Sequence, residues 1–140
     1  MNDARVVVVD ASVAIKWVLS EPGDEQALSV LEAYGAREIE LIAPRLLMEE
    51  VASALSKRCR RKQLTAKQAH AVFHAFESRR PPLADNPLRR ALELSLDNQL
   101  SLWDSVYLAL AIERRADLVT ADRRFYRNVS RRYPFVSLIA

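Results

Sequence analysis

The sequence predicts an α/β fold organised on a mainly parallel central sheet. Three observations carry that expectation. Val6 to Val9 is a run of four valines; β-branched side chains are stiff at χ1 and favour a pleated backbone, and a run without apolar–polar alternation reads as a strand covered on both faces. Short apolar stretches then alternate with longer helical patterns along the whole chain, as parallel strands joined by helical crossovers require. Lastly, Asp10 ends the valine run, where a parallel strand leaves its sheet and where open α/β sheets gather ligands.

The elements follow in order. Asp10 to Leu19 (DASVAIKWVL) reads as a helix, capped by Asp10 or Ser12, with Val13, Ile15 and Trp17 toward the core. Glu21-Pro22-Gly23-Asp24 breaks it. A second helix over Asp24 to Tyr34 carries Ala27, Leu28, Val30, Leu31 and Tyr34 at helical spacing, with Gly35 as its stop. Glu40 to Ala43 is the size of a second strand. Pro44 opens a helix over Arg45 to Arg61, and Thr65 caps another over Ala66 to Arg79. Pro81-Pro82 ends it, and Leu83-Ala84 reads as a short edge strand or a loop. Leu88 to Asn98 is helical. Trp103 to Arg115 is apolar nearly all round, which predicts a buried helix. Asp117 to Thr120 reads as a strand, Arg123 to Tyr133 as a helix and Phe135 to Ile139 as a last strand.

Composition bounds the function. At 140 residues the chain reads as a single domain, residues 1–140, able to bury a real core. No apolar run approaches the roughly 20 residues that span a bilayer, and MNDAR at the start does not read as a signal peptide. Cys59 is the only cysteine, so no internal disulfide forms, which fits a reducing, cytoplasmic setting. The net charge of +3 and pI near 9.3 hint at an anionic partner and no membrane role. Gly23 and Gly35 are the only glycines, which excludes Rossmann and P-loop phosphate sites.

Most of the 18 acids read as solvated surface, and four do not. Asp10 ends the first strand. Asp122 lies just beyond the strand Asp117 to Thr120, so both belong at the carboxyl edge of the sheet, within about 5 Å of one another if their strands are neighbours. Glu50 falls at the edge of the arc of Leu47, Val51, Ala54 and Leu55. Asp104 shares a face with Tyr107, Leu108 and Ala111. Each has a plainer reading: Asp10 and Asp122 as helix caps, Glu50 as the partner of an arginine, and Ser101-Leu102-Trp103-Asp104 as a variant capping box. Together they crowd like charge, which raises each pKa unless a cation intervenes. Hard carboxylate oxygens without Cys or His suit Mg²⁺ or Mn²⁺ rather than zinc. His70 and His74 stand at i and i+4 with no acid or Cys nearby, and read as surface or packing residues.

The stretches VVVVDASVAIKW, PRLLMEEVASAL, LWDSVYLALA and LVTADRRF, in that order, resemble a PIN domain, and among PIN domains the VapC toxins of bacterial toxin–antitoxin pairs. The resemblance spans essentially the whole chain. It implies a three-layer α/β/α sandwich and an endoribonuclease dependent on Mg²⁺ or Mn²⁺. Asp10, Glu50, Asp104 and Asp122 match the family's acids as metal ligands and catalytic residues, and Ser12 and Thr120 match small hydroxyl positions that support the site. It also implies a VapB-type antitoxin as partner and a homodimer or larger toxin–antitoxin assembly. Two departures are minor: Pro81 to Pro87 foretells a short middle strand, and Ser105 stands where Ala is common.

Setting the four acids aside leaves 14 against 21 Lys and Arg, an outer surface suited to nucleic acid. Arg123 and Arg124 beside Asp122, with Arg58, Arg60, Arg61 and Lys62 at one helix end, are candidate RNA contacts; tRNA or rRNA is the target class the family suggests. The same helix-end cluster also reads as cations favoured by a helix C-terminus. Helices carrying Ala27, Leu28 and Leu31, and Leu46, Leu47, Val51 and Leu55, either offer a groove to an antitoxin segment or belong to the core. The competing function is a catalytically inactive PIN-like module that binds RNA or protein. A phosphoacceptor receiver domain fits less well, since the late strand end carries Asp122 rather than a lysine.

Overall fold

The computed structural model describes residues 4–139. The elements are β1 (Arg5–Val9), α1 (Ala11–Ala14) continuing into a 3₁₀ turn (Ile15–Trp17), α2 (Asp24–Gly35), β2 (Ile39–Pro44), α3 (Leu46–Arg60), α4 (Ala66–Arg79), β3 (Leu83–Ala84), α5 (Leu88–Asn98), α6 (Leu102–Arg114), β4 (Asp117–Thr120), α7 (Arg123–Val129) and β5 (Val136–Leu138). The five strands form one sheet in the order β3-β2-β1-β4-β5, every pair parallel. Val7, Val8 and Val9 are 1% exposed or less, as expected of a central strand with both faces covered.

The order fixes where a site can form. From β1 the chain moves to β2 and β3, then returns across the sheet to β4 and β5. Right-handed crossovers therefore set α1–α4 against one face and α5–α7 against the other. The direction of winding reverses between β1 and β4, and a crevice opens there beyond the strand ends. Val9 pairs with Val119 in register, so the next residues, Asp10 and Thr120, emerge side by side at that crevice. At the opposite end, Arg5 and Asp117 tie the same two strands by an ion pair of 2.9 Å.

Several expectations are refined. The helix after β1 stops at Trp17 rather than Leu19 and tightens into a 3₁₀ turn, because Trp17 turns inward and donates its Nε1–H to Ala27 O at 2.9 Å. Gly35 is still helical. The left-handed residue that ends α2 is Arg37 (φ 62°), where Arg37 N and Glu38 N donate to Tyr34 O and Ala33 O. Leu83-Ala84 is a true edge strand, only two residues long beside its prolines. The α7 helix ends at Val129 rather than Tyr133, since Pro134 disfavours helix in the residue before it. Trp103 is the clearest correction: it is 54% exposed, although α6 is buried along Ser105 to Ala111. It stands in the first turn of α6, ahead of the helix's buried stretch.

The core also answers the question of the apolar helices. Ala27, Leu46, Leu47, Val51 and Leu55 are buried, and Leu28 and Leu31 pack against them, so these faces are core rather than a free groove. The apolar surface left open is on α5 instead, where Leu88, Leu92 and Leu96 are spaced four apart and more than half exposed. Ser105 is fully buried and its hydroxyl donates to Ser101 O at 2.8 Å, so a small residue is required there and the hydroxyl is satisfied.

Candidate functional site

The centre of the crevice is the Asp10 carboxylate. Asp10 is the N-cap of α1 in extended conformation, and its Oδ1 accepts from Val13 N at 3.3 Å. Ser12 Oγ donates to Oδ1 and Thr120 Oγ1 donates to Oδ2, both at 2.5 Å. The direction of these bonds is set from behind. Ser12 Oγ accepts from Ala121 N at 2.8 Å and Thr120 Oγ1 accepts from Asp122 N at 3.0 Å, which leaves each hydroxyl proton for Asp10. The cap reading of Asp10 holds, and it is compatible with a further role, because the helix uses only one lone pair of the carboxylate.

Three further acids surround this centre. Asp122 caps α7, accepting from Phe125 N at 3.1 Å, and its residue is exposed. Asp104 is half-buried in the first turn of α6, and Glu50 is half-buried in the first turns of α3. The Ser101 hydroxyl accepts from Asp104 N at 3.1 Å, an ordinary helix cap that leaves the Asp104 side chain to face the crevice.

Their electrostatics link them in sequence. Burial raises the Asp10 pKa to about 6 against the pull of its three donors, and the charge of Glu50 adds to the rise. Burial likewise raises Glu50; the nearby Tyr107 hydroxyl opposes it, Asp104 adds to it and Lys57 opposes it. Burial and then Asp122 raise Asp104, with Ser101 in opposition. Each acid therefore feels the next, from Asp10 through Glu50 and Asp104 to Asp122. Tyr107 is pushed far above the usual phenol value by burial and by these acids, so its hydroxyl stays protonated. That hydroxyl lies toward Glu50 but outside a regular hydrogen bond, a buried donor without a fixed acceptor.

These residues match a hard divalent cation in donor chemistry. They do not close a cage: among the described residues no three His, Cys, Asp or Glu side chains converge tightly enough to hold an ion alone. Mg²⁺ does not demand one, since it keeps several waters and is commonly held by one or two carboxylates plus substrate phosphates. Both histidines are exposed, on α4.

Two grooves lead to the acids. One, of about 640 Å³, runs between α1 and α3 past Ser12 and Glu50 and is lined by Lys16, Lys57, Arg58 and Arg61. The other, of about 350 Å³, holds Asp104 and Asp122 with Arg124. Of the basic residues singled out from sequence, Arg58, Arg61 and Arg124 line these grooves. Lys62 and Arg123 are exposed and line neither, and Arg60 donates to Ser56 Oγ at 2.8 Å. Arg58 is engaged by Glu21 at 2.7 Å, and Lys16 reaches the same carboxylate at 3.4 Å. Sequence reading passed over Lys16, Lys57 and Tyr107. Helical spacing points to all of them: Lys57 is two turns beyond Glu50, Lys16 one turn beyond Ser12, and Tyr107 one turn beyond Asp104.

Comparison with known proteins agrees with this fold. The family model described as PIN domain matches residues 7–129, which takes in all four acids. No curated protein matches the chain by sequence. Solved structures match it by fold. PAE2754 from Pyrobaculum aerophilum superposes with a TM-score of 0.69 at 22% identity, over 91% of this chain and 87% of that one. A toxin–antitoxin complex from Klebsiella pneumoniae gives 0.66 at 18% identity, over 96% and 98%. VapC20 from Mycobacterium tuberculosis, a sarcin–ricin loop cleaving toxin, gives 0.66 at 12% identity, over 88% and 95%.

Proposed function

The chain belongs to the PIN domain family, and on that premise we propose that it is a Mg²⁺- or Mn²⁺-dependent endoribonuclease, the toxin of a toxin–antitoxin pair. The observation that carries the reading is the run of carboxylates at the switch point of a parallel sheet, three of them raised by burial and by a neighbouring acid, with a basic groove leading to it. Buried acids that raise one another's pKa are a standing cost to the fold unless a cation joins them.

In this reading Asp10 and Asp104 are direct ligands of the cation, and Glu50 and Asp122 complete its surroundings, directly or through water. When bound, Mg²⁺ supplies positive charge to the phosphodiester oxygens and acidity to a nearby water. The protein's own part is positioning. Ser12 and Thr120 hold both oxygens of Asp10 in one orientation. Tyr107 keeps a neutral donor facing Glu50. Lys16, Lys57, Arg61 and Arg124 neutralise the RNA backbone on either side of the cut phosphate. Attack by water leaves a 5′-phosphate and a 3′-hydroxyl.

An antitoxin partner is suggested by the Klebsiella complex, and the open Leu88, Leu92 and Leu96 stripe on α5 offers an apolar surface for such a chain or a second copy. The second reading is a catalytically inactive PIN-like module that binds RNA or protein, which the basic groove would serve equally well. One experiment separates the two: total RNA treated with purified protein in Mg²⁺, Mn²⁺ or EDTA, beside Asp104→Asn. Discrete cuts lost with EDTA and with the variant support the nuclease. Binding of RNA without cutting under any condition supports the module.

A further inference from the structure

The geometry points to Trp103 as the residue that stacks an unpaired base beside the phosphodiester to be cut, a specificity-determining contact that rests on the RNA-cleaving reading above. Ten aromatic side chains occur in the chain, and Trp103 alone among them is exposed, at 54%. It sits in the first turn of α6, immediately before Asp104. It lines a groove of about 420 Å³ with Leu46, Glu49, Glu50, Ser53 and Lys57. Glu50 and Lys57 also line the basic groove between α1 and α3, so the two grooves meet at the acid cluster.

The grooves differ in chemistry. The α1–α3 groove has four basic side chains and no aromatic one, which suits a phosphate backbone read without regard to sequence. The Trp103 groove has one Lys against two acids, Glu49 and Glu50, with an apolar wall at Leu46 and an exposed indole, so it suits the uncharged face of a base better than a phosphate. A flat ring open to solvent binds the π-face of a nucleobase, and single-stranded nucleic acid is held in this way by aromatic platforms. Bases in a duplex present only their edges, so a Trp103 platform selects loops, bulges or single strands. Glu50, which lines this groove as well as the basic one, sets the stacked base next to the acids rather than at a distance.

The test uses the intact protein in EDTA, titrated with a mixed-sequence single-stranded oligoribonucleotide and with a duplex of the same composition. Trp17, the other tryptophan, is 3% exposed with its Nε1–H bound to Ala27 O, so fluorescence quenching reports Trp103. Quenching by the single strand and not the duplex is expected. Binding of labelled oligonucleotide is expected to weaken about tenfold in Trp103→Ala and to be largely restored in Trp103→Phe, with thermal midpoints unchanged. No quenching, with equal binding by wild type and Trp103→Ala, overturns the proposal. A changed oligomeric state of Trp103→Ala with unaltered RNA binding also overturns it, and assigns the indole to a second copy of the chain. Cleavage in Mg²⁺ keeps the two levels apart. Wild type and Trp103→Ala cutting the same sites equally well removes the stacking role alone. Quenching with no cutting removes the nuclease and leaves the platform.

Discussion

Thr120 Oγ1 donates to Asp10 Oδ2 at 2.5 Å, across 110 residues of sequence and one step of the sheet. The same hydroxyl accepts from Asp122 N, so a fully buried threonine orients one acid while fixing the backbone of another. Thr120→Val keeps the shape and removes both bonds. It is expected to cost about 1–3 kcal/mol in denaturant unfolding, as a buried polar pair left unmet does. Mg²⁺ affinity is expected to fall about 10–100-fold, as for lost supports of metal ligands, with Thr120→Ser restoring most of it. A Val variant that binds Mg²⁺ like wild type removes Thr120 from the site.

Asp10→Asn is expected to abolish cleavage and to stabilise the fold at neutral pH. The sign follows from the direction of the shift. The folded-state pKa of Asp10 is raised from 3.8 to about 6, so the folded protein favours the neutral acid. Stability from that preference is present below about pH 4 and lost as pH rises through 6; ionised Asp10 then costs about 3 kcal/mol. Asparagine avoids the charge but meets two hydroxyl donors with an amide, so a net gain of about 1–2 kcal/mol is expected at pH 8 and almost none at pH 4. Paired urea melts at the two pH values check this, and a variant less stable than wild type at pH 8 would falsify it.

Divalent cation is expected to offset the same cost. At about 100 times its dissociation constant, Mg²⁺ raises unfolding free energy by about 2.7 kcal/mol. EDTA reverses the gain, and Asp104→Asn shows less of it. Calorimetric melts that ignore Mg²⁺ in both proteins would leave the acids without the proposed ion.

Lys57→Ala and Arg61→Ala are each expected to weaken RNA binding across sequences and to lower the slope of log K against log salt by about 0.7, one phosphate contact each on a single strand. Glu21→Gln should act in the opposite sense. It frees Arg58 and Lys16 from a shared carboxylate, so RNA binding tightens at low salt while stability falls by no more than about 1 kcal/mol. Unchanged salt slopes in both alanine variants would move the RNA path elsewhere.

Gly35→Ala is expected to stabilise the protein by about 0.5–1 kcal/mol. Gly35 is helical, a Cβ there meets nothing within 4 Å, and the left-handed residue of the turn is Arg37. A destabilised alanine variant would show that the turn uses the glycine.

What the sequence displayed, and what it concealed, divides along a physical line. The valine run announced a central strand because its composition admits no exposed face, and strand-end acids announced a crevice because parallel topology places them together. Ser12 and Thr120 were suggested only by family pattern; their bonds to one carboxylate depend on the pairing of β1 with β4. The exposure of Trp103 was hidden because an apolar helix carries no periodicity to distinguish its first turn from its buried body. The engagement of Arg58 by Glu21 joins residues 37 apart through a turn whose path no local rule gives. Helix ends at Trp17 and Val129 were overrun for a like reason, since inward packing of one indole and a proline five residues on decided them.

The pairing of β1 with β4 also sets a clock on the molecule's birth. Asp10 leaves the ribosome 110 residues ahead of Thr120, which at about 5–20 residues per second is roughly 5–20 seconds. Throughout that interval the valine strand has at most β2 beside it and the first acid has no hydroxyl at Oδ2; Asp104 arrives only near its end and Asp122 after it. A nascent chain therefore carries no finished acid cluster until β4 and the residues just beyond it have emerged.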